Sequence, residues 1–183
     1  MKIKKLVLVW IGIIAVGTAA IWYGSNLFQK HIFNCQAAMC KRVADFNQNL
    51  YKVTYDRDMP FEYKMKIVEK YPEIVDTDPD NKFPNAFVAR FLKSWKKKLY
   101  DNEQQRFYAM IYVGEGLYKG DVEKFETSIK YWNKTEMSEK KRKQLDKFLE
   151  AGRKYIAEMK KGEVTHETQK ELSERETVFF GSR

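Results

Sequence analysis

Two cysteines and two histidines are the scarcest reactive side chains in this sequence, and their spacing sets what chemistry is open to it. Cys35 and Cys40 stand five positions apart. In one continuous helix that spacing is a rise of about 7.5 Å and a rotation of about 140°, which leaves the Cα atoms roughly 8 to 9 Å apart. A disulfide needs less than about 7 Å. A bridge between Cys35 and Cys40 therefore requires the helix to break between Asn34 and Lys41. The alternatives are pairing with another chain, or two reduced thiols. For an exported pair this close, the break and the bridge are the expectation. The spacing does not suit haem attachment, and no small-residue lipobox precedes Cys35.

His31 and His166 lie far apart in the chain, and no His or Cys is placed at ligand spacing for zinc. There is no G-x-S-x-G and no phosphate-binding glycine loop. "DTDPDN" sets Asp76, Asp78 and Asp80 in the alternation that opens a calcium loop. Counting on from Asp76, however, Asn81 replaces the turn glycine and Phe87 stands where the bidentate Glu belongs. It reads as a surface turn. Glu115, flanked by Gly114 and Gly116, is the carboxylate that most invites a glycan-cleaving role, but with 25 acidic residues such placements arise by chance. No catalytic residue, metal or cofactor is assigned, and the balance leans away from an enzyme.

The elements that would hold these residues are helical. With 183 residues, 44% hydrophobic and 15% aromatic, the chain is apolar enough to fold and long enough for one domain. Lys2, Lys4 and Lys5 precede an uncharged run from Leu6 to Gly24 that has only Thr18 as a polar interruption. Nineteen residues at 1.5 Å each match a bilayer core. Thr18-Ala19-Ala20 offers a cleavage site, but the run continues through Ile21 and the interface-favouring pair Trp22 and Tyr23, so an uncleaved signal anchor is expected. The lysines adjoining the run place the N-terminus in the cytoplasm and the remainder outside, in the periplasm or extracellular space of a bacterium.

Residues 25–59 contain no Gly or Pro and carry Phe28, Ile32, Phe33, Met39, Val43, Phe46, Leu50 and Val53 at helical spacing, which predicts a membrane-proximal helix. Pro60 opens a short helix that Pro72 ends or bends. Phe87, Val88, Phe91, Leu92, Trp95 and Leu99 form the next apolar stripe. Asp101 with Gln104 resembles a capping box, which predicts a new helix there, stopping at Gly120. Asp121 caps another, and Ser138 to Lys161 forms the last long one, closed by Gly162. Residues 163–183 read as a polar tail, a short helix at best or disordered until bound. The expected architecture is all-α: cytoplasmic stub 1–5, transmembrane anchor 6–24, membrane-proximal helix 25–59, a domain over 60–162 and the tail. The bundle beyond the anchor should hold about five to six helices.

"AMIYVGEGLYKGDVEKF", residues 109–125, resembles one Sel1-like or tetratricopeptide repeat. Ala109, Val113 with Gly114, Leu117 and Gly120 fall at the repeat's spacing, and Gly120-Asp121 lies where its two helices turn. The resemblance implies a helical hairpin with its turn at Gly114, Gly120 and Asp121, of the kind that stacks into a concave surface for protein partners. Phe125 departs from the small residue usual at that position, and no second copy follows.

The net charge of +9 leaves +6 once the three N-terminal lysines are set aside. Lys93, Lys96, Lys97 and Lys98 form one dense patch and "EKKRKQLDK" another, suited to anionic lipid or an acidic protein partner. Nucleic acid is not expected as a partner, because the aromatics fall on the opposite, core-facing stripe. The function these features favour is a single-pass membrane protein whose helical domain is an interaction or assembly module, a small subunit of an envelope complex in contact with membrane lipid and protein partners. An exported enzyme acting on envelope material through carboxylates and a cleaved periplasmic binding protein are the alternatives.

Overall fold

A computed structural model describes residues 2–77 and 86–181, with side chains for residues 13–75, 90 and 92–181. Among the described residues there are seven helices and no strand. They are α1 Lys2–Tyr55, α2 Phe61–Glu69, α3 Tyr71–Thr77, α4 Ala86–Lys119, α5 Val122–Trp132, α6 Glu139–Lys161 and α7 His166–Phe180.

α4 is the axis of the fold, and its sequence carries two apolar stripes. Tyr100, Phe107 and Ile111, at i, i+7 and i+11, pack with Met39, Val43 and Leu50 of α1, Val68 of α2, and Tyr71 and Val75 of α3. Ala109, Met110 and Val113 face the other way, against Phe125 and Trp132 of α5, Leu145, Phe148 and Ile156 of α6, and Leu172 and Phe179 of α7. One helix with two buried faces thus joins two clusters into one core.

Several expectations need correcting. The Asp101 capping box does not open a helix: α4 runs unbroken for 34 residues. Gln104 instead donates from Nε2 to the carbonyls of Val68 and Glu69, at 2.9 and 3.2 Å, and satisfies the open end of α2. Residues 163–180 are not a loose tail. Thr165 caps α7 by accepting from the Thr168 N–H, and Phe179 is buried against Trp132 and Phe148. The helix predicted over 25–59 is the C-terminal part of α1, which enters it unbroken from the N-terminal side and ends at Tyr55. The Asp76-Asp78-Asp80 alternation falls at and beyond the end of α3. Residues 78–85, and the side chain of Asp76, lie outside those described.

Among the described residues no helix is long and apolar enough to cross a membrane. The predicted span 6–24 is the N-terminal part of α1, and the side chains of residues 6–12 lie outside those described.

Candidate functional site

Among the described side chains of α1, the first that is buried is Met39; from Ile13 to Leu27 every residue is exposed. Ile13, Ile14, Val16, Ile21, Trp22, Tyr23, Leu27 and Phe33 are the large hydrophobics left uncovered. They fall on all sides of the helix, so no rotation about its axis would bury them together.

Cys35 and Cys40 sit beyond these residues on the same helix, and both thiols are free. The predicted break between Asn34 and Lys41 is absent, so the helical spacing that forbids a bridge applies and an internal disulfide does not form. Cys35 Sγ lies 3.8 Å from His31 Nε2, one turn back. Partial burial, reinforced by the Glu103 carboxylate, pushes the Cys40 thiol up, which keeps it protonated and slow to react.

The lysine patch is arranged on the outer face of α4. Lys93, Lys97 and Lys98 are exposed, while Lys96 is half-buried with its ammonium 5.2 Å from the centre of the Tyr100 ring. Lys98 pairs with Glu136 at 2.7 Å, which ties the patch to the α5–α6 connection. In the second basic stretch, Arg142 has a structural task. Its guanidinium donates to the carbonyls of Trp132 and Thr135, each at 3.0 Å, and closes the end of α5.

The predicted turn is present at Gly120 and Asp121. Gly120 adopts φ +65, the Asp121 N–H reaches back to the Gly116 carbonyl at 3.0 Å, and the Asp121 carboxylate accepts from the Lys124 N–H at 3.1 Å. This is a Schellman stop followed directly by an N-cap. Gly114 is not part of it: it lies exposed within α4, and an added Cβ there would meet nothing within 4 Å. The close approach falls at Gly116, where a Cβ would lie 2.8 Å from the backbone N of Phe125, and at Gly152 of α6, where it would lie 2.5 Å from the Phe125 ring. Phe125 is seated between these two glycines.

Packing also assembles a buried polar network between α1, α3 and α4 that no local pattern marked. Asn47 donates to Glu103 Oε2 at 2.8 Å, the Tyr71 hydroxyl donates to Asn47 Oδ1 at 2.9 Å, and Arg106 donates to Glu103 Oε1 at 2.9 Å. Burial, then the Glu103 charge, pushes the Tyr71 hydroxyl well above its ordinary pKa. These residues satisfy one another, as buried polar groups must. Their only sequence signal was a polar residue, Asn47 or Glu103, on the core-facing side of an amphipathic helix.

A cleft of about 490 Å³ lies where the end of α1 and the start of α2 meet α4 and α7. Asp58, Glu115 and Glu176 are its carboxylates. The Glu115 carboxylate pairs with Lys119 at 2.8 Å, and Lys124 lies 3.8 Å away. His31 and His166 are both exposed and belong to different helices. Among the described residues no group of His, Cys, Asp and Glu could hold a metal ion. Compared with known protein families, with curated proteins and with solved structures, the chain has no significant match in any of the three.

Proposed function

We propose that this chain is a membrane-anchored interaction module, in which α1 crosses a bacterial inner membrane once from a cytoplasmic N-terminus and holds the α2–α7 domain on the far side. The observation that supports it is the uncovered apolar half of α1. Eight large hydrophobics from Ile13 to Phe33 are each more than half exposed. Left in water, a surface of that kind drives association, and a bilayer covers all sides of a helix at once. The Lys-rich start and the Trp22-Tyr23 pair suit the two interfaces. The domain itself offers partner-binding features: the α4–α5 hairpin, which resembles a repeat unit, and the lysine patch of Lys93, Lys97 and Lys98 on its outer face. The module serves as a small subunit of an envelope complex.

Alkaline extraction of membranes, followed by protease treatment of intact spheroplasts, tests the anchor. The full-length chain should stay in the pellet and its domain should be digested from outside. Recovery in the supernatant, or a mature mass lacking residues 1–20, would overturn the anchor. Crosslinking and pull-down in mild detergent tests the assembly role, which is lost if the chain emerges alone and monodisperse.

A further inference from the structure

A second cleft, of about 610 Å³, adjoins the first, shares Tyr55, Met110 and Phe180 with it, and is bounded by α1, α4 and the end of α7. Its charged lining is one-signed: Lys52, Arg106 and Lys141 line it, and among the described residues no carboxylate does. Glu103 offsets one of these charges through its 2.9 Å pair with Arg106, and its other oxygen is taken by Asn47. About two positive charges are left facing a shared space with no anion among the described lining residues. Lys141 donates to the Phe179 carbonyl, which uses one of its three N–H groups. Its ammonium is pushed down in pKa by burial and by the nearby Arg106, as expected for cations gathered without a counter-ion.

Trp132 forms part of the wall and is 1% exposed, and its indole Nε1 has no acceptor. A buried N–H without a partner is rare in a folded protein and asks for an explanation such as a ligand. Met110, Phe179 and Phe180 supply the apolar surface of the same cleft.

We propose that this cleft binds a soluble phosphate monoester carrying an apolar or aromatic body, with Arg106 and Lys141 holding the dianionic head, Trp132 Nε1 donating to it, and Met110 and Phe180 meeting the body. A dianion matches the two unbalanced charges, and guanidinium and phosphate pair through parallel hydrogen bonds. The ester is a soluble one because the cleft begins at Gln48, twenty-four residues past Gly24, or about 36 Å along α1 from the end of the apolar run. Only that choice of source rests on the anchored reading above; the binding itself does not.

The test uses the uniformly 15N-labelled full chain in phosphatidylcholine nanodiscs, or in buffer if the chain is recovered without membrane. Its Trp132 indole signal is assigned with Trp132→Phe. Phenyl phosphate should shift that signal saturably, benzoate should bind at least about tenfold more weakly, and phenol should leave it in place. Arg106→Gln and Lys141→Gln should each weaken phenyl phosphate by about tenfold or more while the rest of the spectrum keeps its dispersion; Lys52→Gln, at the exposed edge, should cost less. An absent or non-saturating shift, an equal response to phenol, or undiminished binding in the Arg106→Gln, Lys141→Gln double variant would overturn the proposal. Should a glutamine variant lose dispersion, competition of phenyl phosphate by inorganic phosphate on the unaltered chain decides, and no competition counts against the site. A shift produced by phosphatidylglycerol nanodiscs alone, which phenyl phosphate cannot extend, would assign the site to a lipid headgroup and overturn the soluble source.

Discussion

Residues 13–38 and residues 39–55 belong to one uninterrupted helix, and they solve opposite problems. In the inner half, Met39, Val43, Asn47 and Leu50 recur at intervals of three and four, and all are buried. That stripe meets α2, α3 and α4, and the opposite side carries Lys41, Arg42, Asp45, Gln48 and Lys52, all exposed. In the outer half the apolar residues follow no stripe. Ile21 is 75% exposed and Trp22 70%, whereas Val43 is 3% exposed. The difference teaches that apolar content alone does not say what a helix packs against. Periodicity does: a stripe is addressed to a neighbouring element, and an all-round apolar surface is addressed to a surrounding phase.

That contrast can be broken most directly with a buried charge. Val43→Asp should abolish cooperative unfolding of the domain, since an unpaired buried carboxylate costs several kcal/mol against a total stability of about 5 to 15 kcal/mol. Ile14→Asp should leave the domain's melting unchanged and release the chain from membranes. Circular dichroism melts with fractionation check both, and equal loss of domain stability in the two variants would erase the distinction. A milder pair sharpens it. Leu50→Ala should cost about 2 to 5 kcal/mol in denaturant titration. Leu27→Ala, on the exposed half, should stay within about 0.5 kcal/mol.

The inner half also carries polar duty through Asn47. Tyr71→Phe removes its hydroxyl partner and should cost about 1 kcal/mol at neutral pH. The same hydroxyl makes stability depend on pH in the alkaline range. An unfolded tyrosine ionises near 10, while the folded protein holds the Tyr71 proton above that, because of burial first and Glu103 second. Its contribution is therefore complete below pH 10 and falls as pH rises further; Tyr51 shifts in the same direction. Tyr71→Phe should flatten the alkaline loss in melts followed from pH 9 to 11. The smallest effect concerns the cysteines where the two halves meet. Non-reducing mass analysis should find no two-hydrogen deficit in the monomer, and Glu103→Gln should modestly speed alkylation of Cys40 by removing the charge that raises it.

The boundaries that follow from one or two turns of chain were legible. Gly120 with Asp121, Ser138, and Gly162 each act through φ or a hydrogen bond to a residue within five positions, so the sequence carries their whole cause. Local signals misled where a distant partner outbid them. Gln104 looked like half of a capping box at Asp101, yet its amide is used 36 residues away on Val68, and the helix runs on. The C-terminal segment looked too polar to pack, yet Leu172 and Phe179 are enough to seat it against α6.

By itself, then, the sequence determined that this protein is helical, where most of its helices stop, and that its N-terminal apolar run has no polar side. Each of these rests on residue chemistry and on spacing within a few turns. Only the tertiary structure decided that α4 serves two clusters, that Gly116 and Gly152 admit Phe125, and that Asn47, Tyr71, Glu103 and Arg106 form one network. It also decided that Lys52, Arg106 and Lys141 line a single cleft. Those residues lie up to about ninety positions apart in the chain. Nothing in a linear pattern fixes which of them will meet, because the meeting is set by how whole helix faces fit together once apolar surface leaves water.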